Sequence, residues 1–130
     1  MKIKTSELTD AALNYAVAVA KGYGHFDAGE PCEKAGFFSL NGHSDCLFLT
    51  DFRPSSLWSQ GGPIIEDEQI LVGPSPFPTG SDRKFAAGLG CDWDTCTFVA
   101  TGPTPLVAAM RCYVLSRLGS EVDIPEELLS

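Results

Sequence analysis

The chain has 130 residues, 44% of them hydrophobic and 20% charged, with nine basic against seventeen acidic residues and a net charge of −8. That is the composition of an ordinary globular protein, of a length that one core serves, so a single domain over residues 1–130 is expected and a fibrous or disordered chain is excluded. The acidic balance lacks the cationic surface that releases counterions from phosphates, so no nucleic-acid partner is expected.

The apolar stretches around residues 13–20 and 106–115 are about half the roughly 20 residues that cross a bilayer, so no membrane partner is expected. Met1-Lys2-Ile3-Lys4 runs straight into polar Thr5-Ser6-Glu7 without the apolar stretch of a signal peptide, and the expected location is the cytoplasm.

The first predicted helix covers residues 10–21. Thr9 stands at its cap, Asp10 at its positive end, and Gly22 is available as the left-handed stop. Leu13, Ala16, Val17 and Ala20 share one face, and Ala12, Ala18 and Val19 widen the apolar surface beyond a single stripe, which suits cover on more than one side or a homodimer.

Strand and turn signals fill the centre of the chain. Residues 37–40 and 46–49 flank Asn41-Gly42, a dipeptide suited to a hairpin, and further short strands are expected near residues 64–66, 69–72 and 95–100. Trp58-Ser59-Gln60-Gly61-Gly62-Pro63 reads as a sharp turn entering the Ile64-Ile65 strand, with a backbone able to approach a ligand or another chain closely. Residues 73–90, punctuated by Pro74, Pro76 and Pro78, read as a long loop.

The second predicted helix spans Pro105 to Leu118, with Thr104 as cap, Pro105 in the first turn and Gly119 closing it. Val107, Met110, Val114 and Leu118 line one face, and Arg111 falls near the centre of that face, where a guanidinium needs an acceptor. A carboxylate partner is expected, with Glu66 or Asp67 as donors of charge. At the chain ends Lys2 and Lys4 alternate with apolar residues, as do Glu121 and Asp123, which predicts that the two ends pair as strands with opposite charges facing.

No catalytic constellation emerges. His43-Ser44-Asp45 has the residue types of a triad, but sequence neighbours diverge and cannot pass a proton along a line. Asp92-Trp93-Asp94 opens like a calcium loop without its turn glycine and closing glutamate, and no phosphate-binding glycine motif is present. The five cysteines, Cys32, Cys46, Cys91, Cys96 and Cys112, are odd in number and lack the spacing of a structural zinc site, even with His25 and His43 added. They are expected to be free thiols; no metal and no cofactor are expected.

Met1 through Thr9 with Ala11-Ala12-Leu13, the segment from Trp58 to Glu66, and Gly102-Pro103-Thr104-Pro105-Leu106-Val107-Ala108-Ala109-Met110-Arg111 running on to Glu126-Glu127-Leu128-Leu129 resemble the NinX-like proteins of tailed phages and prophages. The resemblance implies a virus-encoded accessory protein of the bacterial cytoplasm and carries with it no activity or catalytic residue.

The expected fold is α+β, two helices packed on a small, mainly antiparallel sheet with a long irregular central region, because strand and helix signals are segregated. The leading functional expectation is a non-enzymatic domain that binds a host or phage protein. The alternative is a domain that binds or hydrolyses a metabolite or nucleotide, with a pocket of Trp58, Trp93 and Arg111 under the residue 73–90 loop and Gly61 and Gly62 beside it.

Overall fold

The structure, a computed structural model, describes residues 1–22, 24–26, 37–39, 47–48, 52–75, 81–91 and 95–128. In chain order these form β1 (Lys2–Lys4), a 3-10 turn (Thr5–Glu7), α1 (Asp10–Ala20), β2 (Gly24–Phe26), β3 (Phe37–Ser39), β4 (Leu47–Phe48), α2 (Trp58–Glu68) and β5 (Leu71–Pro74). A second 3-10 turn (Ser81–Arg83), β6 (Phe85–Cys91), β7 (Cys96–Gly102), α3 (Pro105–Leu118), β8 (Glu121–Asp123) and a last 3-10 turn (Glu126–Leu128) follow. The fold is α+β.

α3 occupies the centre. Leu106, Ala108 to Met110, Cys112, Tyr113 and Val114 are all buried, and so is Arg111, which leaves the helix covered well beyond the single face its sequence suggests. One side packs on the antiparallel sheet β5-β6-β7, and α1, α2 and β8 contact the others. Its ends follow their local signals: Thr104 Oγ1 accepts the N–H of Val107 at 3.1 Å, Pro105 sits in the first turn, and Gly119 ends the helix with φ at +91°.

α1 also lies where its residues place it, with Thr9 at the cap position, although the Thr9 hydroxyl makes no capping bond. Leu13, Ala16, Val17 and Ala18 are buried within the chain, which accounts for the breadth of its apolar surface. The chain ends pair as expected: β1 and β8 are antiparallel with Lys2 opposite Asp123 and Lys4 opposite Glu121. The terminal ammonium meets Asp123 Oδ1 at 2.9 Å, and Thr5 Oγ1 donates to the Gly119 carbonyl at 2.6 Å.

Two local expectations are corrected. Residues 64–66 belong to α2, a third helix, and not to a strand. β-branched Ile64 and Ile65 suggest a strand, but Ile64 is buried in the core and Gly61 allows the helix to lie against Pro54 and Leu106; a Cβ at 61 would come 2.6 Å from Leu106 Cδ2. The second correction concerns β2, β3 and β4, which pair in parallel, Phe38 with Leu47 and Ser39 with Phe48. A tight hairpin reverses the chain and gives antiparallel neighbours, so it does not join β3 to β4; Asn41 and Gly42 themselves lie outside the described residues.

Candidate functional site

The N-terminal ends of α1, α2 and α3 converge on one open cleft of about 460 Å³, lined by Thr9 and Asp10, by Ser55, Ser56 and Trp58, and by Pro103 through Val107. Ser55 holds the approach to α2 in place: its N–H and its hydroxyl both donate to Asn14 Oδ1 on α1, at 3.1 and 2.7 Å. Trp58, the first residue of α2, is 58% exposed, an apolar surface left uncovered at the cleft. Asp10 has φ at +47°, in the left-handed region that aspartate tolerates better than most residues. Each helix adds the positive end of its dipole, although at α3 Pro105 has no N–H and the Val107 N–H is taken by Thr104, so the cleft sets three positive helix ends beside an aromatic face.

A second cleft, of about 340 Å³, lies further along α3, between β7, the β1–β8 pair and the first 3-10 turn. Val99, Ala100, Leu115 and Arg111 are among its walls, with Lys4 and Glu121. Arg111 is only 1% exposed, as a charged residue amid α3's apolar surface must be when it finds acceptors. Nε donates to the Leu8 carbonyl and Nη1 to the Thr101 carbonyl, both at 2.9 Å. Its carboxylate is Asp82, at 3.2 Å from Nη1, and not Glu66 or Asp67. The acidic block of residues 66–68 closes α2, with Glu66 and Asp67 turned to solvent and Glu68 bonded to Arg117 at 2.8 Å.

Trp58 and Arg111 therefore line different clefts, and Trp93 lies outside the described residues, so the three do not form one pocket among the residues described. Gly61 packs against Pro54 and Leu106, while a Cβ at Gly62 would meet nothing within 4 Å beyond its own chain neighbours and helix backbone. Asp82 escaped the sequence reading because it sits in the residue 73–90 stretch read as loop; that stretch contains the end of β5, a 3-10 turn and most of β6. The alternation of Leu89 with glycine and alanine was its only strand signal.

The expectation of free thiols is overturned for two cysteines: the β6–β7 register sets Cys91 opposite Cys96, and the pair forms a disulfide. The two lie five residues apart on either side of the β6–β7 connection, and the hairpin register brings them face to face. Cys112 is a free, buried thiol whose pKa burial pushes up to about 11; Cys32, His43 and Cys46 lie outside the described residues. Among the described residues no cluster of three or more His, Cys, Asp or Glu is placed to hold a metal ion, and no helix is long and apolar enough to cross a membrane.

Fold and clefts together define a small acidic α+β protein organised around one buried helix. The family model described as Bacteriophage P22, NinX matches residues 4–117, and the chain belongs to that phage family. No curated protein matches it. The protein is thus phage-associated.

Proposed function

We propose that this protein is a non-enzymatic phage accessory domain that binds a segment of a host or phage protein in the Trp58 cleft. The observation that carries this reading is convergence: the three segments that bear the family resemblance, around Thr9, Trp58 and Thr104, are far apart in sequence and line one cleft. Exposed tryptophan is among the commonest energetic anchors of protein interfaces, and the positive ends of three helix dipoles suit the carbonyl oxygens of an extended segment. The net charge of −8 favours a protein partner over nucleic acid and supports solubility through self-repulsion. A homodimer, the other expected association, finds its apolar surface on exposed Leu71 and Val99, which face each other across Gly88 in the sheet register, since α1 is covered within the chain.

The test is capture from lysate of infected cells, split into macromolecular and small-molecule fractions, with a photo-crosslinking residue at position 56, exposed beside Trp58 in the same cleft. The expected result is one discrete cross-linked protein, lost in Trp58→Ala, whose stability should stay within about 0.5 kcal/mol of the parent because the side chain is exposed. Thermal stabilisation by the small-molecule fraction, without a cross-linked protein, would favour the metabolite reading instead.

A further inference from the structure

We infer that the cleft beside Arg111 is a binding site for a monocarboxylate with an apolar body. The inference is independent of the Trp58 reading, because the two clefts share no lining residue.

A guanidinium has five N–H donors. In Arg111 the Nε donor is held by Leu8 and one Nη1 donor by Thr101. Asp82 takes the second Nη1 donor at 3.2 Å and one Nη2 donor at 3.4 Å. The remaining Nη2 donor has no acceptor among the described residues, although the side chain is almost wholly buried and lines the cleft. Its contacts with Asp82 exceed the roughly 2.7–2.9 Å of a strong charged hydrogen bond, and Asp82 is 60% exposed. An incoming carboxylate can therefore accept from the remaining Nη2 donor while the two carbonyl bonds keep the guanidinium in place; Asp82, which does not line the cleft, opposes it only through its charge.

Val99, Ala100 and Leu115 supply apolar walls for the body of the ligand, and Lys4 adds a second cation. The volume, about 340 Å³, is at the small end of ligand sites. A single negative charge fits this surround better than a phosphate dianion, since Glu121 also lines the cleft and only one guanidinium donor is unfilled. The carboxylate can belong to a free organic acid or to the C-terminus of a peptide with an apolar last residue.

Titration of the full chain, followed by amide NMR, tests the site. The probes are 4-phenylbutyrate, the tripeptide Ala-Ala-Leu, and the carboxamide of each. We expect saturable shifts at residues 99–101 and 115 with a carboxylate and not with its carboxamide; saturation by the acid or by the peptide tells which source the site takes. Asp82→Asn, an exposed change, should tighten binding severalfold by removing a negative charge from beside the guanidinium. Val99→Asp, also exposed, should weaken it, and Arg111→Lys should weaken it about ten-fold through loss of the planar fork. Should Arg111→Lys not fold, the two surface variants decide. Equal shifts with carboxylates and carboxamides, no shifts up to millimolar probe, or binding indifferent to both Asp82→Asn and Val99→Asp would overturn the inference.

Discussion

α3 and α2 both pack on the core, α3 buried over most of its length and α2 through Gly61 and Ile64, and they form by opposite routes. α3 is written locally, with a threonine whose hydroxyl caps it, a proline in the first turn and a glycine at the end. α2 begins at Leu57 without a side-chain cap, carries Gly61, Gly62 and Pro63 in its interior, and ends on Gln69 in the left-handed conformation. Pro63 deprives the Ser59 carbonyl of its helical donor, and two glycines weaken the helix further. Packing against Pro54, Leu106 and the core overrides these penalties. The lesson is that a glycine pair before proline reads as a turn only if nothing nearby needs a backbone to pass close.

The largest expected effect lies on α3. Arg111→Ala removes donors from the Leu8 and Thr101 carbonyls and leaves a void in the core, and should cost about 3 to 5 kcal/mol in a denaturant melt. Asp82→Ala should cost less, about 1 to 2 kcal/mol: its own carboxylate is mostly in water, but its loss leaves the buried guanidinium without a counter-charge. Equal losses from the two variants would mean that the salt bridge, and not the carbonyl bonds, holds Arg111.

Next comes the glycine pair of α2. Gly61→Ala forces a Cβ into the Pro54 carbonyl and Leu106, and should destabilise by about 2 to 3 kcal/mol. Gly62→Ala meets no packed neighbour, but it precedes Pro63, whose ring disfavours a helical residue bearing a Cβ, so the propensity gain is offset and the change should stay within about 0.5 kcal/mol. Equal effects from the two substitutions would show that residues 58–68 are not held as a helix against Leu106.

What was legible in the sequence follows the same division. The bounds of α3, the antiparallel pairing of the chain ends and the burial of Arg111 rest on signals a few residues wide or on strict alternation, and all three are present. The identity of the carboxylate beside Arg111 and the helicity of residues 58–68 depend on which distant segments meet, and local pattern does not encode that; the Cys91–Cys96 bond is local but depends on the β6–β7 register, which the glycine-rich sequence of β6 does not signal. Of the candidate site residues, Trp58 was legible as an unusual aromatic, but its neighbours Ser55, Ser56 and Pro103 carry no signal until three helix ends are brought together.

A smaller effect on α3 comes from pH. Burial raises the Cys112 pKa from 9.0 to about 11, so the folded state disfavours the thiolate. The unfolded chain then loses its proton first: stability is intact below about pH 9 and falls as pH rises towards 11. The loss is about 1 kcal/mol by pH 10. Other groups titrate in the same range, so the measurement is the difference between parent and Cys112→Ala. The parent should fall more steeply between pH 9 and 11, and parallel curves would show that the thiol is open to solvent.

The smallest effect tests the cap that makes α3 legible at all. Thr104→Ala removes the bond from its hydroxyl to the Val107 N–H, one of the first amides of the helix with no acceptor of its own. The usual cost is about 1 kcal/mol. Here it should fall at the lower end, because the bond is exposed, so water can replace the hydroxyl, and because Pro105 fixes the first helical φ independently. Thr104→Ser keeps the oxygen and should recover most of the loss, whereas Thr104→Val keeps the shape and should not. Since Thr104 also lines the Trp58 cleft, the three variants separate two roles in one experiment: stability should follow the hydroxyl. Capture of a partner through Trp58 should survive in Thr104→Ser and weaken in Thr104→Val only if the hydroxyl itself meets the partner. A Thr104→Val protein as stable as the parent would mean that α3 begins where it does because of packing, as α2 does, and the contrast between the two helices would collapse.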